Sequence, residues 1–226
     1  MSKHIESQPA INQNQVGNIN LVDASITTST VKNKHAFVLW SGGIDSTYLI
    51  THLLEQGYRV DAGYIKIIVN KEQSVRELAA IERLLPLIDN NNFKYLGILN
   101  ELNIVNSGNV ILNQIPMFLT ALYHLGPYDE FATGFIMNDD TISWIPDIVA
   151  CYNGFKPLVR NLPTITFPLI KLKKMEILRR LPDVLKENVV WCEDEDGLYQ
   201  PEINGCNTCH SCLRMDYEQR VDAAPW

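Results

Sequence analysis

Residues 41–47 of this 226-residue chain, Ser41-Gly42-Gly43-Ile44-Asp45-Ser46-Thr47, combine the side chains and backbone best suited to chemistry on an anion. Two consecutive glycines can take backbone conformations closed to other residues, so successive N–H groups turn toward one point with nothing bulky in the way. Ser41, Ser46 and Thr47 add hydroxyl donors. A helix beginning near Asp45 would contribute the positive end of its dipole. A phosphate chain fits such a cradle. Neither G-x-x-x-x-G-K-[ST] nor G-x-G-x-x-G occurs in the chain, so the loop belongs to neither of those two types. Asp45 is the odd member. A carboxylate among donors repels phosphate unless it caps the helix or helps to hold Mg²⁺, and the spacing allows both.

The second chemical cluster is at the other end. Cys192, Cys206, Cys209 and Cys212, four of the five cysteines, fall in the last 35 residues, with thirteen residues between Cys192 and Cys206. C-x-x-C spacing lets two sulfurs approach one ion without strain, and four thiolates match tetrahedral Zn²⁺ with no open coordination position. That predicts a structural metal, one that holds residues 191–226 against the rest of the chain. An iron–sulfur cluster is the alternative, but the ferredoxin run needs another cysteine after three residues and Leu213 to Asp216 supplies none. His210 lies inside the run and reads as an exposed loop residue. Cys151 reads as a buried small hydrophobe.

Two further stretches carry candidate groups. Asn138-Asp139-Asp140 and Pro146-Asp147 put three carboxylates within ten residues, with Trp144 between them. Carboxylates facing a phosphate loop can carry Mg²⁺ or accept from the polar edge of a base, and Trp144 can stack on a ring; a solvated acidic loop is the equally weighted alternative. Lys171, Lys173 and Lys174 precede the apolar positions Ile177, Leu178 and Leu181. Cations at a helix N-terminus oppose the dipole, so an anionic partner for Lys171 is one reading and a solvated helix start the other.

The elements that must position these groups alternate. An apolar run from Phe37 ends at Ser-Gly-Gly and is followed by helical spacing of Leu49, Ile50, Leu53 and Leu54, with Gly57 as the stop. Arg59 to Val69 is a β-branched strand, Lys71 to Ile88 a helix, Phe93 to Leu99 a strand, Val110 to Leu125 a helix, and Phe131 to Ile136 a fourth, short strand. Such alternation predicts an α/β fold, a parallel sheet with helices on both faces over residues 35–190, with ligands outside the carboxyl ends of the strands. Residues 1–34 are polar, rich in Asn, Gln, Ser and Thr, and read as an adaptable extension.

Composition narrows the classes. An apolar content of 46% supports a real core, and a net charge of −7, from 19 Lys+Arg and 26 Asp+Glu, leaves no surplus for a nucleic-acid-binding face. No run approaches the ~20 apolar residues of a membrane span, and the first residues lack a charged-then-apolar signal pattern. A cytoplasmic location is expected.

The string Ser41-Gly-Gly-Ile-Asp-Ser46 resembles the SGGxDS signature of PP-loop ATP pyrophosphatases. With the four-cysteine tail, the chain from about Ala36 to Tyr217 resembles the 7-cyano-7-deazaguanine synthase family. The further points of likeness are Thr141 to Asp147, Phe167-Pro168-Leu169 with Lys171, Trp191-Cys192, and Cys206 through Arg214. The resemblance implies an ATP-dependent ligase that acts on 7-carboxy-7-deazaguanine and ammonia. The carboxylate is adenylated, ammonia displaces AMP, and a second activation gives the nitrile. It implies that Ser41, Gly42, Gly43, Ile44, Asp45, Ser46 and Thr47 hold ATP with Mg²⁺, and that Ser41, Asp45 and Lys171 serve catalysis. Asp140, Trp144 and Asp147 would face the deazaguanine, Cys192, Cys206, Cys209 and Cys212 would bind Zn²⁺, and the protein would pair as a homodimer. Two departures stand out. The family's Pro-x-Arg-Asn is reduced to Pro116 followed by Met117-Phe118, and its Cys-Arg after the Pro-Asp pair is Ile148-Val149. These point toward a divergent member with another acceptor, including one that joins a deazaguanine to a protein in phage defence. A non-catalytic, zinc-stabilised nucleotide-binding module is the reading from outside the enzymes.

Overall fold

Strand β1, His35–Leu39, is the axis of the molecule: Ala36, Phe37 and Val38 are all fully buried, which a strand achieves only when both faces of its sheet are covered. The computed structural model describes residues 34–68, 71–103, 110–124, 126–137, 139, 141–193, 198–200 and 204–223. These belong to one unit, Val31–Trp226. The expectations for residues 1–33 lie outside the described residues.

Five strands form one parallel sheet in the order β3-β2-β1-β4-β5: β2 is Arg59–Ile67, β3 Phe93–Leu102, β4 Glu130–Ala132 and β5 Thr164–Thr166. Side chains of β1 alternate between two cores. Ala36 and Val38 join Leu49, Ile50 and Leu53 of α1 (Ile44–Glu55) and Ile81 and Leu84 of α2 (Lys71–Leu84). Phe37 faces the other way, toward Phe118 of α3 (Val110–Leu122) and Ile148 and Tyr152 of α4 (Ile145–Asn153). The parallel sheet with helices on both faces is therefore present as expected. Among the described residues no helix is long and apolar enough to cross a membrane.

Several boundaries differ from the sequence reading. β5 was not foreseen as a strand: three residues with a single buried position, Ile165, are too short for alternation to register. β4 stops at Ala132 rather than Ile136: Thr133 still donates its N–H to the Thr166 carbonyl of β5 at 3.0 Å, but Gly134 turns to lie against Asp45 and Ser46 at the start of α1. Helix α2 ends at Leu84 and passes into a 3-10 turn at Pro86. After the short helices α5 (Lys174–Arg180) and α6 (Asp183–Lys186), the cysteine segment contains a 14-residue helix, α7 (His210–Ala223), whose buried positions include Ser211 and Glu218, so no apolar period announced it. Cys151, expected inside, is exposed, because Ile148 and Tyr152 supply the buried face of α4.

Candidate functional site

The strand order reverses direction between β1 and β4, and at such a switch point the loops leaving the two strands part to open a crevice. A cavity of about 360 Å³ sits there, lined by Ser41, Gly43, Asp45 and Ser46 after β1, Tyr64 of β2, Glu77 of α2, and Thr133 to Phe135 after β4.

The cradle is built as its residue types require. Gly42 has φ 71°, in the left-handed region, and a Cβ there would stand 3.0 Å from both the Ala80 Cβ and the Glu77 carbonyl oxygen. Helix α2 thus lies directly against the loop. Gly43 is the N-cap of α1 and offers no side chain, so no side chain caps that helix end. The first-turn N–H groups of Ile44, Asp45 and Ser46 have no intrahelical acceptor by helix geometry, and Gly43, Asp45 and Ser46 line the cavity at the positive end of the helix dipole. The hydroxyls hold each other only at long range: Ser41 and Ser46 Oγ are 3.3 Å apart, and the Gly43 N–H reaches Ser41 Oγ at 3.4 Å. Such weak internal bonds leave these donors available to an incoming oxyanion.

Lys174 answers the question raised by Asp45. Its Nζ lies 3.2 Å from Asp45 Oδ2, and the lysine is only 5% exposed at the first turn of α5 (Lys174–Arg180). The pair neutralises the carboxylate inside an anion site, while Asp45 Oδ1 is buried without a hydrogen-bond partner among the described residues. Asp45 lines the cavity, and a carboxylate oxygen without a partner is the kind of ligand that a hard cation such as Mg²⁺ uses. Lys171, the lysine singled out from the sequence, is exposed three residues before the helix. The missed residue was Lys174, and the signal for it lay in spacing: it sits three residues before Ile177, on the buried side of α5.

The remaining expected site residues divide. Ile44 is buried in the core, so only its backbone can serve the cradle. Thr47 is fully buried and its Oγ1 accepts from the Trp40 indole N–H at 3.0 Å, which makes it a strut of the loop. Trp144 and Asp147 are exposed, and neither is among the described residues that line the cavity. Asp140 lies outside the described residues, and its neighbour Asp139 accepts from the Thr141 N–H and hydroxyl, closing a local turn. Two cavity residues were not among the expected site residues, although Glu77 falls at the end of the stretch after the second strand, Asn70 to Glu77, that the parallel-sheet rule brings toward the site. The Tyr64 hydroxyl donates to Glu77 Oε2 at 2.6 Å, and Gln73 donates to Oε1 at 3.1 Å. Burial pushes the Glu77 carboxyl up to about 7 against the lowering effect of those two bonds, and burial with the adjacent carboxylate pushes the Tyr64 phenol up.

The four cysteines Cys192, Cys206, Cys209 and Cys212 converge, with their sulfurs all within 4.8 Å of one another. A tetrahedral Zn²⁺ with ordinary Zn–S bonds sets sulfurs about 3.8 Å apart, so the cluster needs little adjustment to close on an ion. Backbone N–H groups already point at sulfur: Cys209 N to Cys206 Sγ is 3.1 Å, and Cys206 N to Cys212 Sγ 3.4 Å. Burial opposes ionisation of Cys206, but the Thr208 hydroxyl and the N–H groups of Cys209 and Thr208 outweigh it and bring the thiol down to about 6. That is the thiolate character a metal needs. His210 is exposed at the start of α7.

The metal segment and the cradle are joined. Val190, two residues before Cys192, donates its N–H to the Gly42 carbonyl at 3.1 Å and forms a parallel bridge with Gly43. Asn204, just before Cys206, holds the Val189 carbonyl at 2.6 Å. On a second route, Glu218 of α7 accepts the Met175 N–H at 3.1 Å, capping the helix that carries Lys174.

No protein-family model matches this chain, and no curated protein matches its sequence. A solved structure from Methanocaldococcus jannaschii, described as a predicted subunit of a tRNA methyltransferase, is similar over 65% of this chain and 72% of its own, with 16% identity and a TM-score of 0.42.

Proposed function

We propose that this chain is an ATP-dependent adenylating ligase of the PP-loop kind, related to 7-cyano-7-deazaguanine synthase. The observation that carries the reading is the uncapped, glycine-opened N-terminus of α1 facing a cavity at the sheet's switch point, with the Asp45 charge met by buried Lys174. A carboxylate oxygen is a poor leaving group. Transfer to AMP makes it a good one, and donors held in place around the departing pyrophosphate lower the barrier to that transfer. In this reading Ser41, Ser46 and the N–H groups of residues 43 to 46 receive the β and γ phosphates. Asp45 Oδ1 takes Mg²⁺, and Lys174 replaces Lys171 as the cation beside the reacting phosphorus. The tyrosine–glutamate pair at Tyr64 and Glu77 borders the space left for the acceptor.

The acceptor that fits the resemblance is 7-carboxy-7-deazaguanine, with ammonia as second substrate and nitrile as product. A second reading keeps the adenylation and changes the acceptor. It is favoured by the position of Trp144 and Asp147 outside the cavity lining and by the absence of Arg-Asn after Pro116. Incubation with ATP, Mg²⁺, ammonia and 7-carboxy-7-deazaguanine separates the two: AMP, pyrophosphate and a nitrile by mass support the first. AMP and pyrophosphate formed only with another carboxylate support the second. No turnover of ATP with any acceptor overturns both and leaves a metal-held binding module. In the same assay Ser41→Ala and Asp45→Ala are expected to lower AMP release by at least tenfold while the chain stays folded.

A further inference from the structure

The cavity has a second pole unlike the cradle. Glu77 is the second carboxyl on the cavity wall after Asp45, and a carboxylate there repels phosphate. Its place is set by α2, whose backbone at Glu77 touches the position of a Gly42 Cβ, so the carboxyl stands on the helix that buttresses the loop. Two of its lone-pair sites are used, by the Tyr64 hydroxyl and Gln73 Nε2, and a carboxylate can accept about two more hydrogen bonds. The charged groups around it are Arg76 on its own helix, Glu193 in the cysteine segment and Asp45 across the cavity, with Asp45 met by Lys174. What such a pole recognises is a donor or a cation.

Adenylation followed by amine attack needs such a group. In neutral solution ammonia is almost wholly ammonium, which has no lone pair to attack with, and a proton must be removed where the cavity keeps bulk water away. We propose that Glu77 is the proton acceptor for the amine that displaces the nucleotide, held in place by Tyr64 and Gln73; this rests on the adenylation reading above. The ammonium ion binds to the carboxylate, transfers one proton to Glu77, and its freed nitrogen lone pair forms the C–N bond to the acyl carbon. The C–O bond to the phosphate then breaks with its electron pair on AMP, and the second proton lost by nitrogen leaves on the phosphate or to solvent. No oxidant or reductant is required. An ordinary carboxyl is too weak a base for this task, and the burial that lifts Glu77 to about 7 brings it closer to the amine's own basicity.

The test compares two nucleophiles on one acyl donor, 7-carboxy-7-deazaguanine. Hydroxylamine is a much weaker base than ammonia and is already neutral at neutral pH, so it needs no proton acceptor to become nucleophilic. In E77Q, amide formation from ammonium, divided by acid-dependent exchange of pyrophosphate into ATP, is expected to fall on the order of a hundredfold, while hydroxamate formation on the same scale falls far less. Equal losses with both nucleophiles, or no loss with ammonium, overturn the proposal. Tyr64→Phe provides a second reading in a chain that keeps Glu77. It removes a bond that favours the ionised carboxyl, so the acid limb of the ammonium pH profile moves to higher pH. An unmoved limb also overturns it. Absence of pyrophosphate exchange in the unaltered protein is a different failure: it removes the adenylation reading and this inference with it.

Discussion

Replacing Gly42 by alanine separates a loop that is merely glycine-rich from one that is tightly fitted. The residue has φ 71°, and an alanine held there costs about 1–2 kcal/mol in backbone strain. The added Cβ would meet the Ala80 Cβ and Glu77 carbonyl at 3.0 Å and the Ile81 nitrogen at 3.2 Å, and two of those three are backbone atoms of α2 that cannot swing away. Overpacking of that kind costs a further 1–3 kcal/mol or so, for a total of about 2–5 kcal/mol against a typical stability of about 5–15. For a chain of this size the melting temperature should drop by about 4–20 °C. Gly57 is the control, since it has φ 84° with no atom of the described residues within 4 Å of its missing Cβ, so Gly57→Ala should show the strain alone. Thermal unfolding of both variants, with titration of an ATP analogue by calorimetry, reads the difference. If Gly42→Ala melts with Gly57→Ala and binds the analogue as the unaltered protein does, the described apposition of α2 and the loop is wrong.

Other consequences can be measured independently. Lys174→Met leaves Asp45 facing the cavity without its cation and should cost about 1–3 kcal/mol in urea unfolding, less than a fully buried pair because Asp45 is 23% exposed. The Asp45→Asn, Lys174→Met double variant should recover part of that loss, and purely additive effects would show that the two do not interact. Cys209→Ser should lose bound metal by elemental analysis and speed amide exchange at residues 41–47, through the Val190 bond to Gly42. A full metal complement in that variant contradicts the four-cysteine centre. Glu77 is raised from 4.5 to about 7 on folding, so the folded chain binds more protons than the unfolded one in that window, and its contribution to stability falls as pH rises through it. E77Q should flatten the stability profile between those values by up to about 3 kcal/mol, and an unchanged slope would mean that the carboxyl titrates normally.

The fold was legible where the period was long and the surroundings uniform. β1 and β2, buried on both faces, read as continuous apolar runs, α1 and α2 bury one face and keep a helical spacing, and the Ser-Gly-Gly junction announced itself because few loops need two glycines there. The four cysteines were legible because thiolate spacing is local. What escaped depended on tertiary position. Lys171 and Lys174 are three residues apart, and only where α5 begins and how it packs against α1 decides that the second turns inward and the first stays outside. Tyr64 and Glu77 lie on different elements and meet across the cavity. In sequence, Thr47 is one more hydroxyl beside a phosphate loop; the buried Trp40 nitrogen claims it. β5 and α7 were missed for the opposite reason, since each buries too few apolar side chains to leave a period.

The account turns on where a nucleotide's phosphates rest. The most direct measurement is a crystal structure of the full chain with Mg²⁺ and an ATP analogue that cannot be cleaved between its α and β phosphorus atoms. The expected result is the β and γ phosphates on the N–H groups after Gly42, with Mg²⁺ on Asp45 and Lys174 alongside. Phosphates bound elsewhere, with the loop after β1 unchanged and empty, would contradict it.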